Sequence, residues 1–369
     1  FLTATPSNGY TESFTALLAL MDPQRFARGV KPAPELLKRA MVRRLKSELR
    51  TELPPRPDGT PRFAERRVLP LVVDYPEEER RIHRVLAEYT ALRRRSAAAD
   101  ATAATATDFV TLLLKKRLFS SPRAFHQTLL EHQRTLRRAG AARVSERQLR
   151  ADFDRLDEDV DEDEALSEAT ADALASAGRA SPPLTAEERR RLQEMIAWAE
   201  RETHRADAKA RVLVDWLRRT CFPDGAWNDE RVIVFTEYRD TQVWLQHLLA
   251  TEGVPPEPVA LLYGGMDAET RERVKAEFQA PPNRSPVRIL LATDAASEGI
   301  DLQLHCHRIV HVEIPFNPSR LEQRNGRVDR FGQPSPVVEV HHFVGKDYET
   351  AAPSTIDGDL DFLFRIAQR

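Results

Sequence analysis

Two regimes of apolar spacing divide the chain. From residue 206 onward, stretches with apolar residues three and four apart alternate with short β-branched runs, the pattern of helices covering a parallel sheet. Helices are predicted over 206–219, 241–250 and 267–279 and from 318, and strands over 231–235 (RVIVF), 259–262, 287–292 (VRILLA), 308–312 and 337–343. A continuous apolar run such as VRILLA suits a strand buried on both faces. Residues 77–202 are different: they are rich in Ala, Arg and Leu and almost free of strand signals, so they should be helical. Ahead of them, 12–20 reads as a helix and Pro-rich punctuation falls at 31–34 and 54–61. The run VLPLVV at 68–73 reads as the last strand of a first domain, with Pro70 calling for an edge position. The expected units are therefore 1–76, 77–205 and 206–369.

Length agrees with this division, since 369 residues suit roughly two or three domains. Hydrophobic residues at 41% and charged residues at 30% describe a soluble globular chain, and no apolar run approaches the ~20 residues of a membrane-spanning helix. No basic leader precedes Phe1, which starts in what reads as a strand, so an interior cut of a longer chain is expected. Cys221 and Cys306 lie far apart, and His305 and His307 beside Cys306 have no further ligand residues nearby in sequence. That spacing indicates neither a disulfide framework nor a zinc site and fits the cytoplasm. Trp198 and Trp216 sit at helical spacing to aliphatic neighbours and belong in a core.

Candidate chemistry gathers in two segments. In QRNGRVDRFGQ (323–333), Arg327 and Arg330 follow a glycine at i, i+3 on a helical pattern, which would put both guanidiniums on one face. Arginine stays charged and forks onto phosphate oxygens, so such a pair suits a developing phosphoryl charge. In LATDAASEGIDLQ (291–303), the chain leaves a buried strand for a loop of small residues, where open α/β sheets bind ligands. There Gly299 permits close backbone approach, Thr293 and Ser297 can donate to phosphates, and Asp301 can hold a ribose hydroxyl or orient an arginine.

These segments resemble a known family. TDAASEGIDLQ looks like motif V and QRNGRVDRFGQ like motif VI of superfamily 2 helicase-like ATPases, and the ending RFGQ is similar to that of the Swi/Snf branch. In the same order, FLTATP (1–6) resembles motif III, VFTEY (234–238) motif IV, and YGG (263–265) the short motif after it. VRRLK (42–46) with ELPPR (52–56) resembles the stretch where Swi/Snf motors leave their first lobe. SNG (7–9), LMDPQRF (20–26) and LKKRLFSSP (114–122) are similar to the bacterial RapA-like branch.

The resemblance implies an α/β fold: a RecA-like parallel-sheet C-terminal helicase lobe, the end of a first RecA-like lobe, and a large helical insertion. It implies ATP with Mg2+ held between lobes, and double-stranded DNA and the N-terminal RecA-like lobe as partners. RNA polymerase or defence-system subunits would be further partners, and no membrane is involved. Carried over by motif, Arg327 and Arg330 are the arginine fingers, with Gln323 against the nucleotide. Gly299 and Asp301 line the ATP cleft, Thr236, Gly264, Thr293 and Ser297 contact nucleic-acid phosphates, and Thr3 and Thr5 couple the lobes.

The departures carry information too. The chain has no Gly-rich loop ending in Lys-Ser or Lys-Thr, and Gly345-Lys346-Asp347 lacks both the preceding glycine and the hydroxyl. Asp157-Glu158 lies in an acidic run, not after an apolar strand. The phosphate cradle and magnesium ligands are thus expected upstream of Phe1, and the chain alone is expected not to hydrolyse ATP. Net charge is only -2, so DNA contacts must be local, with Arg93-Arg94-Arg95 and Lys115-Lys116-Arg117 as candidates beside the alternative of solvated helix faces. The acidic run DFDRLDEDVDEDE (152–164) reads as solvated or disordered, or else as an arm that shields the DNA channel or binds a basic partner. The leading function is a double-stranded DNA translocase that remodels or displaces protein–DNA complexes, in transcription recycling or DISARM-like phage defence. The alternatives are an RNA helicase, disfavoured because Gln323 rather than His opens the last motif, and a non-catalytic DNA-binding scaffold. Arg far outnumbers Lys and Ala is abundant, which suggests a GC-rich bacterial genome.

Overall fold

The computed structural model describes residues 11–42, 44–57, 59, 61–137, 144–157, 163–294, 300–315 and 317–367. Three helices come first: α1 (Thr11–Met21), α2 (Pro34–Ala40) and α3 (Lys46–Glu52). Strand β1 (Glu65–Val73) precedes a run of helices, α4 (Glu77–Ala97), α5 (Ala101–Ser120), α6 (Pro122–Arg137), α7 (Glu146–Asp157), α8 (Asp163–Ala180) and α9 (Ala186–Glu202). Then α10 (Ala208–Cys221), β2 (Val232–Thr236), α11 (Arg239–Thr251), β3 (Val259–Leu262), α12 (Ala268–Gln279) and β4 (Ile289–Thr293) alternate. The chain ends with β5 (Arg308–His311), α13 (Pro318–Asn325), β6 (Val337–Gly345) and α14 (Ile356–Ala367).

Among the described residues six strands form one sheet in the order β1-β6-β5-β2-β4-β3, parallel throughout. The two-residue period of a strand divides its interior between two layers. Val232 and Val234 of β2 and Ile289 and Leu291 of β4 pack with Leu213 and Leu217 of α10 and Trp244 and Leu245 of α11. Their neighbours Ile233, Phe235, Leu290 and Ala292 face the other way, onto Val274 and Phe278 of α12, Ile300, Leu302 and Val328. Every residue of β2 and of β4 is buried, as their unbroken apolar sequences require.

The strand VLPLVV belongs to this sheet and not to a preceding domain. β1 pairs with β6 in parallel, Val68 beside Val340 and Leu71 beside Phe343. Leu71 and Val73 bury into the layer that holds Leu213 and Val214. Pro70 does lie on an outer strand, where a missing N–H is tolerated. Apolar alternation shows that a strand is half-buried, but not which sheet covers it.

Helices α4 to α9 build a separate core around Ile82, Leu86, Tyr89, Leu114, Phe125, Leu129, Leu192, Met195 and Trp198. Arg93 is drawn inside it: Glu188 accepts from Arg93 at 3.3 Å, from Ser96 at 2.7 Å and from the Thr185 amide at 2.7 Å, closing a capping box at the start of α9. Arg94 and Arg95 stay exposed, whereas the other basic triplet points inward. Lys115 meets Asp359 at 2.8 Å, Lys116 meets Glu237 at 3.2 Å, and the Arg117 guanidinium lies 3.6 Å above the Tyr238 ring. Ser120 and Ser121 reach the Thr241 hydroxyl at 2.6 and 2.8 Å, and buried Lys209 donates to the carbonyls of Phe119, Ser120 and Val312. Both readings of Lys115-Lys116-Arg117 therefore give way to a third, the joint between helical module and lobe. Charge runs reveal exposed faces only when no opposite charge waits across an interface.

The acidic run also departs from expectation in its described part. Residues 152–157 close α7 and 163–164 open α8, while 158–162 fall outside the described residues. Asp152 is buried and accepts from Ser176 at 2.5 Å and Gln148 at 2.8 Å. Asp163 is buried against the sheet.

Candidate functional site

The arginine turn starts from α13. Asn317 caps that helix by accepting from the Ser319 amide at 2.9 Å, and Pro318 occupies its first position. The helix stops at Asn325, before either candidate arginine. Gly326 caps its end, and the Asp329 amide returns to the Asn325 carbonyl at 2.8 Å, while Val328 plugs the lower core. Arg327 and Arg330 thus occupy successive turns rather than one helical face. They converge all the same: Arg327 Nη1 lies 3.5 Å from the Ile300 carbonyl, the Leu302 amide bonds the Arg327 carbonyl at 3.0 Å, and Arg330 pairs with Asp301. Gln323 is half-buried on α13.

Of the two roles open to Asp301, the arrangement displays the second, holding an arginine. The pair is exposed, with side-chain exposures of 40% for Arg330 and 57% for Asp301. Such a pair contributes little, so a phosphate group can displace the carboxylate.

A clasp holds the turn from behind. Asp329 is buried and is met by Arg66 at 2.7 Å and Lys46 at 3.2 Å, Arg56 donates to the Gln333 carbonyl at 3.0 Å, and the Phe63 and Phe331 rings meet edge-on at 6.0 Å. Burial pushes the Lys46 ammonium down from its ordinary value, against the pull of Asp329. Segment 46–66 therefore fixes the arginines, although in sequence it read only as a crossing between lobes.

Arg324 is a site residue that the motif spacing did not single out. It is fully buried and grips Asp294 through Nε and Nη2, the latter at 2.8 Å, while Nη1 donates to the Glu313 carbonyl at 3.2 Å. It thus ties the end of β4 to α13, the two segments that carry the candidate chemistry. His311, 3.3 Å from Arg324, stacks on His342 with ring centroids 4.7 Å apart. Burial, then each other's charge and that of Arg324, hold His311 well below the ordinary imidazole value; burial and Arg324 bring His342 to about 3. Both rings are neutral at pH 7. No signal in the sequence distinguishes Arg324 from its exposed neighbours except its place in an α13 face that must pack.

The expected phosphate contacts separate. Thr236 is buried, and its hydroxyl donates to Glu313 at 2.9 Å, so it braces the turn after β2 and presents nothing to solvent. Beside it, burial alone would raise Glu237, but Lys116, Arg320 and Arg324 bring it down to about 2. Thr293, ending β4, and Gly264, just beyond β3, do come together: the Thr293 hydroxyl and the Gly264 amide both donate to one carboxylate oxygen of Asp163, at 3.0 and 2.7 Å. Ser297, Gly299, Thr3 and Thr5 lie outside the described residues. Among the described residues no cluster of His, Cys, Asp and Glu is arranged to hold a metal ion, and no helix is long and apolar enough to cross a membrane.

Residues 209–332 match the helicase conserved C-terminal domain. The chain is similar to the uncharacterized ATP-dependent helicase YqhH of Bacillus subtilis, 37% identical over 131 residues, 36% of this chain and 20% of that protein. It is similar to the RNA polymerase-associated protein RapA of Pectobacterium carotovorum, 32% identical over 124 residues, 34% of this chain and 12% of that one. It is also similar to the SNF2 domain-containing protein CLASSY 4 of Arabidopsis thaliana, 31% identical over 144 residues, 38% of this chain and 12% of that one. The matched stretch spans a fifth or less of each of these relatives.

Proposed function

We propose that this chain, which carries a superfamily 2 C-terminal helicase lobe of the Swi/Snf type, supplies the arginine wall of an ATP site in a motor that moves along double-stranded DNA. The observation that supports it is the convergence of Arg327 and Arg330 on residues 300–301, in the segment that joins β4 to β5. Two guanidiniums there suit the charge that develops on a transferring phosphoryl group. Asp301 holds Arg330 extended until a phosphate competes for it, and the buried Arg324–Asp294 pair keeps the two segments in register.

The chain has the arginines but no glycine loop ending in Lys-Ser or Lys-Thr. On this reading ATP and Mg2+ are gripped mainly by an N-terminal RecA-like lobe, and the arginine turn completes the site when the lobes close. Magnesium would neutralise charge on the phosphates; the residues described here position and stabilise, and none of them serves as its ligand. Gly264 and Thr293 offer donors to a nucleic-acid backbone. The similarity to an RNA polymerase-associated relative makes RNA polymerase a partner to test, and phage-defence subunits are the other candidate class.

The test is ATP hydrolysis by the complete protein with duplex DNA or single-stranded RNA added. Stimulation by duplex DNA is expected. Stimulation by RNA alone would replace the translocase with an RNA helicase, and no hydrolysis under any condition would leave a scaffold.

A further inference from the structure

The carboxylate of Asp163 sits where a ligand oxygen would sit. It comes from the helical module, at the start of α8, yet it is bonded to the lobe: one oxygen, Oδ2, accepts from the Gly264 amide at 2.7 Å and from the Thr293 hydroxyl at 3.0 Å. Asp163 is 6% exposed, Gly264 is buried and Thr293 fully so. An N–H and an O–H aimed at one point, beyond the carboxyl ends of two adjacent parallel strands, form a seat for an oxyanion. The seat is costly for its present occupant. Burial raises the Asp163 carboxyl above its usual range, and Asp294 adds to that, while the two hydrogen bonds and Arg239 pull the other way. Glu164, next to Asp163 at the start of α8, is exposed and adds a second negative charge there.

We propose that Asp163 is a removable stand-in for a nucleic-acid phosphate, so that the helical module closes the seat of Gly264 and Thr293 until a DNA backbone displaces it. The inference rests on the reading of Gly264 and Thr293 as phosphate contacts and adds what covers them. A carboxylate oxygen and a phosphate oxygen make the same demand on an N–H and a hydroxyl, so only one of them occupies the seat at a time. Apparent affinity for DNA is then lowered by the fraction of molecules in which Asp163 is seated. Like-charge repulsion of Asp163 and the adjacent Glu164 would favour the module's withdrawal once a polyanion arrives.

The experiment measures duplex-DNA affinity of the complete protein by fluorescence anisotropy at fixed salt, for wild type, Asp163→Asn, Thr293→Val and the double variant. Asparagine keeps the size and an acceptor oxygen but not the charge. Asp163→Asn should bind about tenfold tighter. Thr293→Val should bind more weakly, and the gain from Asp163→Asn should shrink in its presence because both effects meet at one hydroxyl. If Asp163→Asn binds as wild type while Thr293→Val weakens binding, the seat stands and the stand-in is refuted. An Asp163→Asn gain of equal size with and without Thr293→Val would mean that its charge acts at a distance, and would overturn the proposal. If Thr293→Val changes nothing in either background, the phosphate-contact reading itself falls. Hydrogen exchange on the wild type needs no variant: duplex DNA should deprotect the first turn of α8, and unchanged or increased protection there would refute the stand-in.

Discussion

Arg324 forks onto Asp294 from inside the lobe, joining the last turn of α13 to the end of β4 with neither guanidinium nor carboxylate free to drift. The Arg324 guanidinium is almost inaccessible to water and Asp294 is only 20% exposed, so the two depend on each other's geometry far more than a surface pair would.

Replacing Arg324 by Lys should therefore be damaging despite conserving charge. An ammonium cannot reproduce the two parallel bonds to Asp294 together with the bond to the Glu313 carbonyl. A loss of about 2–4 kcal/mol in unfolding free energy is expected from denaturant titration. A loss within about 0.5 kcal/mol would show that the pair is not structurally needed.

Arg330 should behave in the opposite manner. Its partner Asp301 is more than half exposed, so Arg330→Ala should leave stability within about 0.5 kcal/mol. In the complete protein the same change should lower kcat by roughly 10³- to 10⁵-fold with little effect on nucleotide affinity. An unaltered kcat would remove Arg330 from the phosphoryl-transfer role.

The contrast between these two arginines shows what the sequence carries. Motif spacing pointed to Arg327 and Arg330, whose role depends on being presented outward, and apolar periodicity placed β2 to β6 and α10 to α13 within a few residues. It passed over Arg324, because a buried arginine and a solvated one look alike until the partner Asp294 is seen to lie opposite. For the same reason it misjudged Lys115, Lys116 and Arg117, whose opposite charges Glu237 and Asp359 and the Tyr238 ring come from segments more than a hundred residues away. It missed the arginines' true setting as well: an i, i+3 count predicts one helical face, but Gly326 ends the helix first. Local pattern encodes local structure; pairings between distant charges are decided by topology.

Thr241 should prove to be a hinge pin between helical module and lobe. Its hydroxyl meets both Ser120 and Ser121, and all three residues are buried. Thr241→Val keeps the shape but takes a partner from both serine hydroxyls, leaving Ser120 with Glu313 at 3.4 Å and Ser121 with the Ala124 amide at 3.1 Å, at a cost of about 1–3 kcal/mol. Differential scanning calorimetry should show one cooperative transition broadening or splitting as the module loosens. An unchanged single transition would show that the Lys115, Lys116 and Arg117 contacts suffice.

Glu79 gives the chain a pH dependence whose sign can be worked out. Burial first, and then the charge of Asp207, raise its carboxyl to about 7, although it accepts from the Ala208 amide at 2.9 Å. A carboxyl whose folded value lies above its unfolded one holds its proton more tightly in the folded state. Its contribution to stability is complete below the unfolded value near 4.5 and is lost as pH rises through about 7. The neutral histidines work in the opposite direction: His342, held at about 3 by burial and Arg324, contributes stability above 6.5 that is lost as pH falls. A wild-type curve alone would mix the two, whereas the difference between wild type and Glu79→Gln isolates the carboxyl. That difference should fall by about 1–3 kcal/mol between pH 5 and pH 8 in denaturant titrations. A flat difference, or one that rises with pH, would mean that Glu79 is ionised in the folded protein across this range and that Arg211, 3.9 Å away, outweighs its burial.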